Sequence, residues 1–277
     1  MTPRLSQHFL HDRKVASRIA EAVRAPRGSR VVEIGPGRGA LTGPLLARGF
    51  RVRAIELDRE LAAELRHRWG DREGFELVEG DALDVDLIPP SDEEGPVWVA
   101  GNLPYAVTTP LLFRVLDEAA RGRVAEGVFM VQREVADRLA ADPGARAYGA
   151  LTVGVRLVAD VESLFDVGPG AFRPPPAVTS TVVRMTPHDR FGLDPTRRER
   201  LRRLVQALFG QRRKQLQKSL RGLSGGSLDR DAVVRVSQVS GLDLARRPET
   251  LSPADFLALD AALGETGLFH TGGHFPV

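Results

Sequence analysis

The stretch Val97 to Phe113, VWVAGNLPYAVTTPLLF, decides how the rest of the chain is read. Its opening residues are apolar, rich in Val and Trp, and stop at Gly101, which is the pattern of a buried parallel strand. Asn102, Leu103, Pro104 and Tyr105 follow directly. Ligands of open α/β sheets bind just beyond the carboxyl ends of such strands, so this junction is a candidate reaction site. The Asn102 amide both donates and accepts hydrogen bonds. Pro104 stiffens the turn and pushes Leu103 towards an extended backbone, while Tyr105 offers a flat face. Together they can grip a planar amine. The same residues also suit an ordinary strand-to-helix turn, with Thr108 or Thr109 capping the helix that follows.

Upstream, three more strands end in the same way. Residues 12 to 24 carry Val15, Ile19, Ala20 and Val23 at helical spacing after a candidate Asp12 cap. Arg30 to Ile34 reads as a strand and runs into Gly35-Pro36-Gly37-Arg38-Gly39 ahead of the helical run ALTGPLLARG. Glycines let backbone approach a ligand closely, and the helix N-terminus adds outward N–H groups. Gly35-x-Gly37-x-x-Ala40 also satisfies the dinucleotide fingerprint, so the loop alone leaves two cofactors open. Glu33, two residues before the first glycine, favours a cationic ligand such as the amino-acid portion of S-adenosylmethionine over a pyrophosphate; its bland alternative is an exposed strand end. The second strand, Arg51 to Ile55, ends at Glu56, placed to bond ribose hydroxyls. The third, Phe75 to Glu79, ends in Gly80-Asp81-Ala82, where Asp81 can accept from an adenine amino group. Four strands, each ending in a polar residue beside glycine or near it, describe one cleft along the top of a sheet.

The whole chain bounds these readings. Its 277 residues accommodate one large or two ordinary domains, of which two are expected. With no Cys, disulfide frameworks and thiolate metal sites are excluded, and an intracellular enzyme is the simplest expectation. The N-terminal residues lack the apolar core of a signal peptide and no run is long enough to span a membrane, so a cytoplasmic protein is expected.

EIGPGRGALT, AIELD, GDALDVD and GNLPYAVTTPLLF, in that order, resemble the ribosomal RNA adenine N6-dimethyltransferases, most closely the KsgA type acting on small-subunit (16S) RNA. The resemblance starts at Ser6-Gln7-His8-Phe9-Leu10, continues through VFMVQREVADRLAADPGARAYGALT and FDVGPGAFRPPPAVTSTVVRM, and thins after residue 186 to FGQRRKQLQKSL. It implies S-adenosylmethionine as cofactor, held by His8, Leu10, Gly35, Glu56, Asp81 and Asn102. At His8 the family usually has Asn. It also implies a catalytic set of Asn102, Leu103, Pro104 and Tyr105, with Phe172 packed on the second face of a flipped adenine. The alternative for Phe172 is a core residue before a proline turn. The partner implied is ribosomal RNA in the small subunit or its precursor, with the protein a monomer. The nearest alternatives are a large-subunit (23S) adenine methyltransferase of the macrolide-resistance type and an RNA-binding assembly factor. A nicotinamide-dependent oxidoreductase would need a hydride-transfer site that the sequence does not offer.

In the second half, strands are expected at Gly127 to Val131, near Val158 to Val167 and at Thr179 to Met185, the last pair antiparallel, with a helix from Arg133 to Ala141. The fold expected is α/β, a Rossmann-like class I methyltransferase with a seven-stranded, mostly parallel sheet and a small C-terminal helical domain. Leu151 to Val158 reads as strand by its Val and Thr content and as helix by resemblance. The loop DPGARAY, residues 142 to 148, is expected near the site and mobile on RNA binding. Domains are expected at 1–187 and 188–264, with a tail at 265–277. From Arg197 to Arg221 stand ten Lys or Arg and one acid, Glu199, a composition that favours phosphate contacts, focused on Arg212, Arg213 and Lys214. Lys218 stands where the family commonly has Asn. SGGS at 224 to 227 reads as a loop, LSPADFLALDAAL as a capped helix, and His270 and His274 lack the partners a metal site needs.

Overall fold

A computed structural model describes residues 8–88, 95–223 and 229–266. The strands are β1 (Phe9–Leu10), β2 (Arg30–Ile34), β3 (Arg51–Glu56), β4 (Phe75–Glu79), β5 (Val97–Asn102), β6 (Val124–Gln132), β7 (Ala159–Val167), β8 (Phe172–Arg173) and β9 (Ser180–Pro187). Seven of them form one sheet in the order β4-β3-β2-β5-β6-β9-β7. From β4 to β6 all neighbours are parallel; β9 lies antiparallel between β6 and β7. Parallel neighbours need crossovers. These are supplied by α2 (Thr42–Ala47), α3 (Arg59–Trp69) and α4 (Thr108–Ala120), with α1 (Arg13–Ala22) ahead of β2. Asp12 caps α1 as expected, accepting from Lys14 N and Val15 N, and Asp58 caps α3 in the same manner.

Chain order reverses between β2 and β5, which places a crevice at their carboxyl ends. The strands on either side are close. A Cβ on Gly101 would lie 2.6 Å from the Ile34 carbonyl oxygen, so only glycine fits there. Gly39, at φ +74°, sits against Trp69, whose ring lies 2.1 Å from where a Cβ would be. The core of this layer joins Val31, Val52, Ala100 and Val128 of the sheet to Ile19, Leu45 and Leu65 of the helices.

By contact the chain divides into two compact units: residues 1–137 with 159–188, and 138–158 with 189–277. This differs from a contiguous division at 187/188. The helical unit takes in 138–158 because Tyr148, Val153 and Leu157 belong to one buried cluster with Leu201, Leu204, Leu208 and Phe256. Leu151 to Val158 resolves as helix, α6 (Ala150–Arg156), following α5 (Arg133–Ala140). The remaining helices are α7 (Pro195–Gly210), α8 (Leu216–Leu223), α9 (Arg230–Ser240) and α10 (Pro253–Glu265), the last capped by Ser252 and Asp255 together. Tyr148 is wholly buried, donates its hydroxyl to the Leu251 carbonyl at 2.6 Å, and burial raises its pKa to about 12. SGGS at 224–227, His270 and His274 lie outside the described residues.

Candidate active site

A cavity of about 300 Å³ opens where β2, β3, β4 and β5 end. His8, Leu10, Glu33, Gly35, Glu56, Asp81, Asn102, Leu103, Pro104 and Tyr105 all line it, so one cavity collects residues spread over nearly a hundred positions. Gly35 and Gly37 adopt left-handed backbone, at φ 65° and 58°, and this turns the loop after β2 under the cavity. The Gly35 N–H is used by the Ile55 carbonyl at 3.0 Å.

Glu33 is not an exposed strand end. It is 1% exposed and accepts a hydrogen bond from Thr42 Oγ1 at 2.7 Å, and burial, with the Glu56 charge adding, raises its pKa to about 8. Glu56 is held differently. Its Oε2 accepts from Gly37 N and its Oε1 from Asp58 N, both at 2.9 Å, so the carboxylate ties the glycine loop to the end of β3. Burial raises its pKa and these backbone N–H groups oppose the rise. Each oxygen keeps a further lone pair for a ligand hydroxyl. Asp81 accepts from Leu83 N at 2.8 Å through Oδ1 and is half-buried on the cavity wall.

The Asn102 amide has a fixed orientation. Nδ2 donates to the His8 carbonyl at 3.2 Å, which makes Oδ1 the acceptor left for a ligand. The Leu103 peptide is pinned by its N–H to the Met130 carbonyl, 3.1 Å. Tyr105 shares a 2.9 Å hydrogen bond with Ser180 Oγ, and the His8 ring lies 5.7 Å from the Tyr105 ring at 35°. His8 Nδ1 is 2.8 Å from the Pro174 carbonyl oxygen, which, for the neutral ring, leaves Nε2 as acceptor.

Two expected site residues are placed otherwise. Phe172 is 2% exposed, sits in the core with Leu10 and Val182, and does not line the cavity; the β1–β8 pairing, Leu10 opposite Phe172, turns it inward. Arg212 is not a free cation. Its guanidinium donates to Glu249 at 2.6 Å and to the Arg146 and Ala145 carbonyls, so it fastens the 142–148 loop, which the sequence reading took as mobile. Arg213 and Lys214 are exposed. Sequence reasoning missed Thr42, Ser180 and Pro174, which act through residues 9, 75 and 166 positions away and carry no local signal. Phe9 and Arg38 were detectable beside the motifs: they line the cavity, and Arg38 lies 5.1 Å over the Phe9 ring.

The chain as a whole is similar to known proteins. The ribosomal RNA small subunit methyltransferase A of Pseudomonas putida is 41% identical over 266 residues, 95% of this chain and 94% of its own. That of Nitrosococcus oceani is 44% identical over 257 residues, 92% and 93% of the two chains. Among solved structures, a dimethyladenosine transferase from Plasmodium falciparum matches with a TM-score of 0.78 at 26% identity, covering 94% of this chain and 98% of that one. The 23S rRNA methyltransferase ErmE matches at 0.69 and 27%, covering 92% and 99%. These likenesses establish a class I methyltransferase fold. The ribosomal RNA adenine dimethylase profile matches residues 1–259, and the chain belongs to that family.

Proposed function

We propose that the protein uses S-adenosylmethionine to dimethylate N6 of two adjacent adenosines in small-subunit (16S) ribosomal RNA, as a step in ribosome biogenesis. The observation that carries this reading is the Asn102 amide: Nδ2 is committed to the His8 carbonyl, so Oδ1 is left as an acceptor on a cavity wall shared with the Tyr105 ring, and this reading assigns the Leu103 carbonyl as the second acceptor. An adenine amine is a poor nucleophile because its lone pair is delocalised into the ring. Two acceptors taking the N6 hydrogens localise that pair and aim it, so catalysis is positioning plus electrostatics. Tyr105 supplies the stacking face.

The residues fit the cofactor. It brings a methyl group already activated on a sulfonium. Glu33, on the cavity wall, suits its cationic amino-acid portion, the left-handed loop at Gly35 and Gly37 carries no side chain to bar close approach, Glu56 has lone pairs for the ribose, and Asp81 is placed for the adenine amino group. His8 and Leu10 close the wall. Phe172 would reach the base only if β8 rearranged, so the second stacking face is assigned to no residue here.

Small-subunit RNA is favoured over large-subunit RNA by the relatives above 40% identity that are named for the small subunit, against 27% for the 23S enzyme. RNA contacts are assigned to Arg213 and Lys214, which are exposed, in a cytoplasmic, monomeric protein. No helix among the described residues is long and apolar enough to cross a membrane. The test is transfer of labelled methyl to purified, unmethylated small subunits and to large-subunit RNA, followed by digestion to nucleosides. N6,N6-dimethyladenosine from the small subunit alone is expected; label only in large-subunit RNA would move the protein to the resistance type. Asn102→Ala in cells separates the assembly-factor alternative: maturation that survives loss of methylation would make binding the main role.

A further inference from the structure

Ser180 opens β9 and is wholly buried, although it is no part of the cavity wall. A buried hydroxyl needs a partner. Here that partner is Tyr105, 75 residues away, with the two hydroxyl oxygens 2.9 Å apart. The Ser180 backbone is fixed from both sides, opposite Gln132 of β6 and Val167 of β7. Tyr105, by contrast, begins a single 3₁₀ turn held by Val107 N and Thr108 Oγ1 on the Pro104 carbonyl, at 3.1 and 3.0 Å. The Tyr105 ring turns about two side-chain bonds, and a partner at its hydroxyl selects one orientation. Ser180 is the fixed point at that end.

We propose that Ser180 is a positioning residue for methyl transfer: it anchors the Tyr105 hydroxyl and thereby sets the plane on which the target adenine stacks. This rests on the adenine reading of the site given above. The demand is greater in the second transfer than in the first. In the first, N6 carries two hydrogens, and the Asn102 and Leu103 acceptors align the base between them. In the second, N6 carries one hydrogen and one methyl, so one acceptor loses its donor and stacking must carry the alignment. Each transfer forms an N–C bond, breaks an S–C bond and releases one N6 proton to solvent; Ser180 makes and breaks no bond.

The experiment compares the full-length protein with Ser180→Ala, Tyr105→Phe and the double variant on unmethylated small ribosomal subunits, with N6-methyl- and N6,N6-dimethyladenosine quantified over time. Tyr105→Phe removes the same hydrogen bond from the half-buried end, so the result does not depend on how the buried Ser180 position tolerates substitution. In each single variant the second methylation is expected to slow by about tenfold, the scale of one lost hydrogen bond, with monomethyl product accumulating and KM for S-adenosylmethionine unchanged. The double variant is expected to be no worse than either single one, since both remove one interaction. Wild-type product ratios in both variants, slowing in Ser180→Ala alone, or additive losses in the double variant would overturn the assignment while leaving the activity standing. A wild-type protein that methylates no adenosine would overturn both.

Discussion

Two carboxyl groups on one cavity wall differ because of what surrounds them. Glu56 has two backbone N–H donors, whereas Glu33, the more buried of the two, has the Thr42 hydroxyl. Burial moves Glu33 from the ordinary 4.5 to about 8, so the folded protein prefers its neutral form. A raised carboxyl pKa contributes stability that is complete below the unfolded value and is lost as pH rises through the folded one. Unliganded wild type is therefore expected to lose on the order of a few kcal/mol between pH 5 and 8 through this group. Glu33→Gln keeps a polar partner for Thr42 and carries no charge to bury. Urea denaturation across that range should give a flatter profile for the variant, and an unchanged slope would show that Glu33 is not the group titrating. A cation reverses the preference. Isothermal calorimetry at pH 8 should find S-adenosylmethionine bound at least about tenfold more weakly by Glu33→Gln, since the favourable charge pair is gone.

At the scale of elements, β2 and β5 form the switch point, and their separation is set by Gly101. Gly101→Ala forces a methyl to 2.6 Å from the Ile34 carbonyl oxygen, against backbone that cannot swing aside as a side chain would. A loss of about 1–3 kcal/mol is expected from overpacking, read as a lower Tm, together with loss of activity because Asn102 follows directly. Gly122→Ala is the comparison: no atom lies within 4 Å, so it suffers only the strain of its φ of +72° and should keep its activity. Strands β2 to β5 were legible because each ends at or beside a glycine or an acid, and Asp12 and Ser252 announced their helices. The β1–β8 ribbon was not legible. A pair of two-residue strands has no periodicity to detect, and its register, Phe9 opposite Arg173, joins residues 164 positions apart. That ribbon turns Phe172 into the core, the alternative the sequence had offered to the stacking role implied by resemblance. Leu151–Val158 was ambiguous for the opposite reason: Thr152, Val153 and Val155 are buried within α6, and tertiary packing outweighs their strand preference.

Over the whole molecule 39 basic residues face 36 acidic ones, so local imbalance rather than net charge has to guide RNA. The basic run 197–221 looked like such an imbalance because acids distant in sequence are invisible to a local count. Folded, Arg197 and Arg200 both bond Asp260, which is 0% exposed; Arg202 and Arg203 bond Glu199; Arg212 bonds Glu249. With Arg198, which donates to the Leu193 carbonyl at 2.7 Å, at least six of the ten cations are therefore bonded within the helical unit. Asp260→Ala is expected to destabilise that unit by about 3 kcal/mol, at the lower end for a broken buried pair because both arginines are part-exposed, while Glu199→Ala should stay within about 0.5 kcal/mol. The same division separates neighbouring cations at 212 to 214. Arg213→Ala and Lys214→Ala remove exposed charges, so each should leave Tm unchanged, weaken binding to the small subunit, and lower the slope of log affinity against log salt by about one. Arg212→Ala should do the reverse. It strips partners from Glu249 and from the 145 and 146 carbonyls, costing about 1–3 kcal/mol, read as a lower Tm, with any loss of RNA affinity showing little change in salt slope. A full unit of slope lost in Arg212→Ala, with none lost at 213 or 214, would mean that the internal ion pair opens to meet phosphate and that the RNA surface is formed only on binding.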